Sequence, residues 1–111
     1  MNMLQQYFDA LAEKNAEKAV SFLSEDVRYD DTCLSGMFHT ETHLFGRAAL
    51  AMHFQNRFIF KTYLVLEGKA ESETEGEYTV MIVGKPTKVH AKVEAFAEDG
   101  TIRHLSLCEA E

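Results

Sequence analysis

Leu4, Phe8 and Leu11, with Tyr7 beside them, repeat at the spacing of one helix face and predict a first helix over 2–14. Asn15 interrupts that pattern. Its side chain can accept from free amides, so it caps a second helix over 16–23, with Ala19, Val20 and Leu23 on one side. Ser24-Glu25-Asp26 then turns the chain into a short strand over 27–31. Residues 32–45 read as an irregular or hairpin-like stretch containing Gly36, His39 and His43. Gly46 opens a third helix over 47–57, with Leu50, Phe54 and Phe58 on one stripe. From residue 59 the character becomes β. The stretch 59–67 is β-branched and aromatic, with a break near Gly68. The acidic run 71–77 reads as a solvated hairpin turn, and 78–83 as the strand after it. Lys85-Pro86 marks another turn, because proline presets a turn dihedral and cannot join a central ladder. Residues 87–97 alternate, Glu98-Asp99-Gly100 is a hairpin signal, and 101–108 is the last strand.

Helices followed by a meander of strands give an α+β class, with the helices packed on one face of a curved antiparallel sheet. The 111 residues suit one domain, 1–111. A formal charge of −7 leaves no cationic stripe for phosphate neutralisation, which argues against nucleic acid and against an anionic membrane surface. No window reaches the roughly 20 apolar residues of a membrane span. The opening residues lack the basic segment and unbroken apolar run of a secretory signal, so a cytoplasmic location is expected, with Cys33 and Cys108 as reduced thiols.

Tyr29-Asp30-Asp31, at the end of the first strand, is the most informative polar group. If Asp31 points into an apolar pocket, it is a candidate general base; if it points to water, it is a turn residue. His39, Glu41 and His43 would share one side of an extended segment, but no third ligand at metal spacing accompanies the two histidines, and loop residues at a rim are the simpler reading. His53 lies off the apolar stripe of the third helix and reads as a surface or rim residue. His104 shares a strand face with Ile102, Ser106 and Cys108 and is a candidate for the cavity lining or a dimer surface. Phe54, Phe58, Met52, Tyr63 and Met81 are candidates for the core and for the wall of a ligand pocket. The six glycines are scattered singly, so there is no phosphate loop, and no cofactor or metal is implied.

The chain resembles the nuclear-transport-factor-2-like superfamily, in which a cone-shaped sheet holds three helices in its curve. The resemblance spans nearly the full length. It rests on Leu4-Gln5-Gln6-Tyr7-Phe8-Asp9-Ala10-Leu11, on Ala19-Val20 and Phe22-Leu23, on Asp26-Val27-Arg28-Tyr29-Asp30-Asp31, and on Gly46-Arg47-Ala48-Ala49-Leu50. Among members, ketosteroid isomerase and the SnoaL-like polyketide cyclases offer the comparison of choice. The isomerase's first-helix tyrosine, an oxyanion donor, falls on Tyr7, its aspartate base on Asp31, and its late-strand acid on Glu94. Three departures argue against steroid isomerisation itself. Glu94 is longer than aspartate and shares its strand face with Lys92 and His90. Phe54 stands where the isomerase has a supporting tyrosine. Thr32 stands where a proline often follows the base.

Three functions follow from the resemblance. The first is a cofactor-independent isomerase, cyclase or dehydratase acting on an apolar carbonyl-bearing ligand, with Asp31 moving a proton and Tyr7 polarising the oxygen. The second is a cone that encloses a small apolar molecule without chemistry. The third is a homodimerisation module pairing through the sheet, for which Val89, Ala91, Val93 and Ala95 offer one strand face.

Overall fold

The computed structural model describes residues 2–32, 41–66, 68–82 and 84–110. Helix α1 spans Met3–Ala12, α2 Ala16–Val20 and α3 Arg47–Phe58. The strands are β1 Leu23–Asp31, β2 Thr42–Phe45, β3 Tyr63–Val65, β4 Lys69–Ala70, β5 Glu75–Ile82, β6 Lys85–Phe96 and β7 Ile102–Glu109. They form a strongly curved sheet in the order β2-β1-β7-β6-β5-β3, with β4 beside β3 on the same edge of β5. The expected α+β class holds. One ladder departs from the antiparallel expectation: β1 runs parallel to β7, because the final strand returns between β1 and β6.

Asn2 and Asn15 cap α1 and α2, each side chain accepting an amide three residues on. Helix α3 starts without a side-chain cap. Gly46 takes φ +98°, a region that disfavours side chains, and donates its N–H to Val27 O at 2.7 Å. Arg47 then donates from its guanidinium to Leu23 O, which fixes the helix start to β1.

Burial alternates along every long strand. Val27 and Tyr29 of β1, Tyr78 and Val80 of β5, Val89, Ala91 and Val93 of β6, and Leu105 and Leu107 of β7 face the helices and are buried. Leu4, Phe8, Leu11, Leu50 and Phe54 fill the concave side against them. Val89, Ala91 and Val93 are thus core residues and do not offer a dimer surface; Lys88, His90 and Lys92 stand on the opposite face.

Several boundaries moved. The helix expected over 16–23 stops at Val20 and β1 already begins at Leu23, so Ser24-Glu25-Asp26 lies inside a strand, and Glu75, Gly76 and Glu77 of the expected turn lie inside β5. The strand expected over 59–67 begins only at Tyr63, because Ile59 closes α3 in a helical conformation and Phe60 N bonds back to Arg57 O. Pro86 lies inside β6, not in a turn: Ile82 pairs with Lys85, with Gly84 at φ +78° between them. Pairing of β6 with β7 starts only at Val89, so Pro86 has β5 alone as a neighbour and no ladder bond is lost on its other side.

The narrow contact between helix and sheet is set by glycine. A β-carbon at Gly76 would stand 2.6 Å from Phe8 Cε2 and 2.8 Å from Lys69 O, and one at Gly68 2.9 Å from Tyr78 Cβ. Gln5 completes this edge. Its amide donates to Gly68 O at 2.9 Å and accepts from Ala70 N at 2.8 Å, supplying backbone partners where the edge strand is interrupted.

Candidate functional site

Tyr7 leaves α1 toward the sheet and is fully buried. Its ring centroid lies 6.1 Å from Phe8 and 6.3 Å from Phe54. Its hydroxyl is the one buried side-chain polar atom without a hydrogen-bond partner among the described residues. Burial, followed by the neighbouring Tyr63 and Asp31, pushes the Tyr7 hydroxyl well above the ordinary phenol range. At neutral pH the hydroxyl is protonated and able to donate.

Phe54 is the hub around which this wall is built. Tyr29 meets it edge-on at 6.2 Å, Phe58 stacks on it at 5.7 Å, and His53 packs against it at 5.3 Å. Phe58 in turn reaches Tyr63 at 6.1 Å. Asp31 follows Val27 and Tyr29 on the inward face of β1 and is half-buried. Burial above all, and among the lesser causes the Asp31 charge, raises the hydroxyls of Tyr7, Tyr29 and Tyr63. The concave side therefore brings together Tyr7, Asp31, Phe54, Phe58 and Tyr63.

His53 belongs to the same wall, not to the surface or rim. Its position one residue before Phe54 turns it toward Tyr29, 5.8 Å away, while Arg57 one turn later donates from Nε to His53 Nε2 at 3.0 Å. Burial, then the Arg57 charge, pulls the imidazole down to about 4. His53 is neutral at physiological pH, and the bond from Arg57 leaves the ring proton on Nδ1. Arg57 Cζ also stands 6.0 Å from the Tyr63 ring centroid.

Four expected site residues lie elsewhere. Glu94 is exposed on the sheet face away from the helices, where the β6–β7 register shifts between Val93 and Ala95. Met52 is 63% exposed, since two residues from Leu50 and two from Phe54 is the far side of a helix. Met81 alternates with the buried Tyr78 and Val80 and pairs with Leu64 on the outer face. His104 is also on that face. There its Nε2 lies 2.8 Å from Asp30 Oδ2, while His43 Nδ1 lies 2.7 Å from Asp30 Oδ1. His43 Nε2 reaches Glu41 Oε1 at 3.1 Å, and Arg28 donates to Asp30 Oδ2 at 3.1 Å.

Asp30 thus ties β2, β1 and β7 together on the outside, beside a groove of about 210 Å³ that reaches Thr32, His90, Lys92 and Cys108. The His43 bond, then burial acting in opposition, then the His104 bond set the Asp30 carboxyl, with a net fall below its usual value; His43 is raised, chiefly by Asp30 and then by Glu41. Cys108 is a free, exposed thiol. Cys33, Gly36 and His39 lie outside the described residues, and among those described no three His, Cys, Asp or Glu side chains are arranged to hold a metal ion. No described helix is long and apolar enough to cross a membrane.

Arg57 and Asp30 were not singled out from the sequence. Arg57 follows His53 by four and Phe54 by three, a spacing that puts all three toward one side of α3. Asp30 differs from Asp31 in strand parity, which the alternation of Val27 and Tyr29 sets.

No family model matches the chain, and neither does any curated protein. Solved structures do. A "putative ketosteroid isomerase" from Kribbella flavida DSM 17836 superposes with a TM-score of 0.70 at 18% identity, covering 98% of this chain and 76% of its own. An NTF2-like protein of unknown function from Cytophaga hutchinsonii ATCC 33406 gives 0.68 at 19% identity, covering 97% and 87%. A "putative isomerase" from Bacillus subtilis gives 0.69 at 15% identity, covering 97% and 84%. With helices in the curve of a mixed sheet, the chain has the nuclear-transport-factor-2-like cone fold.

Proposed function

We propose that the cone binds a small apolar molecule bearing a carbonyl and moves a proton on it without a cofactor, in the manner of an isomerase, cyclase or dehydratase. The observation that carries this reading is the Tyr7 hydroxyl, fully buried and without a partner among the described residues. An unpartnered buried hydroxyl costs about 1–3 kcal/mol, a cost that a ligand oxygen would remove. Asp31 on the same side supplies a carboxylate within the electrostatic reach of that hydroxyl. In the proposed step, Asp31 takes a proton from the carbon next to the carbonyl. The C–H electron pair moves into the enolate, whose oxygen accepts from Tyr7, and Asp31 returns the proton to another carbon or to the leaving group. The two isomerase-named neighbours are consistent with this chemistry.

The reading extends to a homodimer through the outer sheet face, where Lys88, His90, Lys92 and the exposed Leu64 stand. Sedimentation at several protein concentrations tests that part separately.

The test of the site is hydrogen–deuterium exchange at the α-carbon of simple cyclic enones, followed by NMR, with wild type, Tyr7→Phe and Asp31→Asn. Wild type should exchange the proton faster than buffer, Asp31→Asn should not, and Tyr7→Phe should lose on the order of 100-fold, as for one oxyanion donor. Binding of 2-naphthol by wild type without any exchange would favour the alternative, a ligand-enclosing cone without chemistry.

A further inference from the structure

Strand β2 has four residues, lies at the edge of the sheet and has one strand neighbour, β1. Burial adds little to its hold. Leu44 is its one apolar side chain packed against the core, and only partly buried, while Phe45 is 72% exposed. A segment with few buried contacts opens locally at low cost, so its side-chain bonds weigh heavily in how often it leaves the sheet. Those bonds converge on His43. Its Nδ1 lies 2.7 Å from Asp30 Oδ1 on β1, and its Nε2 lies 3.1 Å from Glu41 Oε1, just ahead of β2. An ionised carboxylate only accepts, so each contact needs a proton on the ring nitrogen that makes it. Both together need the imidazolium. A neutral ring keeps one contact and turns a lone pair toward the other carboxylate.

We propose that His43 is a pH-sensitive latch for β2: the imidazolium holds the strand against β1, and loss of one ring proton lets it open. The other charged groups around it do not take over this task. Arg28 of β1 and His104 of β7 also bond Asp30, but neither reaches β2. The His104 contact engages one ring nitrogen, which a neutral ring serves equally well. From α3, Arg47 is bonded to Leu23 O, and Arg57 donates to His53 on the concave side. The bond from Asp30, then that from Glu41, raises the His43 imidazole above its ordinary 6.5. The hold is therefore complete below 6.5 and lost as pH rises through the higher value of the closed strand. Thr42 pairs with Asp31 and Leu44 with Tyr29, so an open β2 bares the edge of the strand that carries the candidate base. The latch needs no ligand and stands apart from the reading of the cone.

The experiment is hydrogen exchange of the full chain read by mass spectrometry, with each rate divided by the intrinsic rate at its pH. Between about pH 5.5 and 8.5, peptides covering 42–45 should lose about threefold or more of their protection, as expected for two exposed ion pairs. Those covering 89–93 and 105–107, in the centre of the sheet, should keep theirs. His43→Gln should show the weaker protection of 42–45 at every pH, with no dependence left. Glu41→Gln should shrink the change, because one of the two carboxylates is gone. Protection of 42–45 that is flat with pH in wild type, or a change that survives in His43→Gln, overturns the latch. A parallel loss at 89–93 makes the event an unfolding of the whole sheet and overturns it as well. Since 89–93 also reports an intact sheet in each variant, a folding defect cannot imitate the expected result.

Discussion

Replacing Tyr7 with phenylalanine deletes one oxygen from a fully buried position and tests the central premise directly. A hydroxyl taken from water and given no partner costs about 1–3 kcal/mol, so its removal should return that amount to the folded state. The oxygen also touches its neighbours, and the small void left behind forfeits contacts at roughly 0.1–0.2 kcal/mol each, which offsets up to about 1 kcal/mol. The net gain expected is about 1–2 kcal/mol. For a chain of this length that is a rise of roughly 4–8 °C in melting temperature. Calorimetry at neutral pH, with a urea titration to check that the slope is unchanged, reads it out. The same variant should lose affinity for carbonyl and phenol ligands. Stability gained while binding is lost marks a group kept for function. A melting temperature that stays level or falls would show that the hydroxyl already holds a structural partner, and the argument from the orphaned donor would fail.

The other predictions concern neighbouring parts of the fold. Phe54→Ala should destabilise by about 3–5 kcal/mol in urea unfolding, since four rings besides its own close around that side chain; a change near zero would place it outside the core. Gly76→Ala should cost about 1–3 kcal/mol, because the added carbon meets both Phe8 and the Lys69 carbonyl, and an unchanged urea midpoint would show that α1 is free to shift. Asp31→Asn should raise the melting temperature if the carboxylate is held in an apolar site for function, and a fall would make Asp31 a structural acceptor. The outer clamp should give a pH signature in the stability difference between wild type and Asp30→Asn. Asp30 is lowered from 3.8, so its contribution is present above that value and lost as pH falls through the lower folded value. His43 is raised from 6.5, so its contribution is complete below 6.5 and lost as pH rises through the higher folded value. The difference should therefore be largest between about pH 4 and 6.5, and a flat difference curve from pH 3 to 9 would dismiss the clamp. Subtraction also removes His53, whose lowered value acts in the opposite direction in both proteins.

Much of the architecture was legible because the long elements carry strong periodicity. Leu4, Phe8 and Leu11 define α1, Asn15 caps α2, and Asp99-Gly100 turns β6 into β7 with Asp99 accepting from Thr101 N. What failed was of two kinds. Ile59 and Phe60 have strand-like composition but are taken up by the end of α3, because helix termination depends on tertiary contacts such as Lys14 Nζ to Phe60 O. Met52, Met81 and Glu94 are expected inside from residue type or from the resemblance and lie outside; His104, expected at the cavity lining or a dimer surface, lies on the outer sheet face. Helix phase and strand parity decide this: Glu94 follows the buried Val93 and shares the outer face with His90 and Lys92.

Asp30 and Asp31 carry that point to the level of function. They are chemically identical and adjacent, and one strand sends them to opposite faces. Asp31 falls among tyrosines on the concave side. Asp30 falls between two histidines and an arginine outside, where it binds three strands. Their roles are fixed by register, and the register has two independent anchors: Tyr29 lies opposite Leu105 in the parallel ladder and opposite Leu44 in the antiparallel one. A slip of β1 by one residue would turn Asp30 inward, away from His43 and His104 on the neighbouring strands, and expose Tyr29, losing a buried aromatic side chain worth roughly 1.5–3 kcal/mol and desolvating a carboxylate as well. In the proposed reading the outer clamp serves the inner site. By holding Asp30 outward through His43 and His104, it holds Asp31 inward beside Tyr7. Asp30→Ala should accordingly weaken ligand binding in the cone although Asp30 never touches it, whereas Arg28→Ala, which removes only an exposed partner of that carboxylate, should leave binding unchanged.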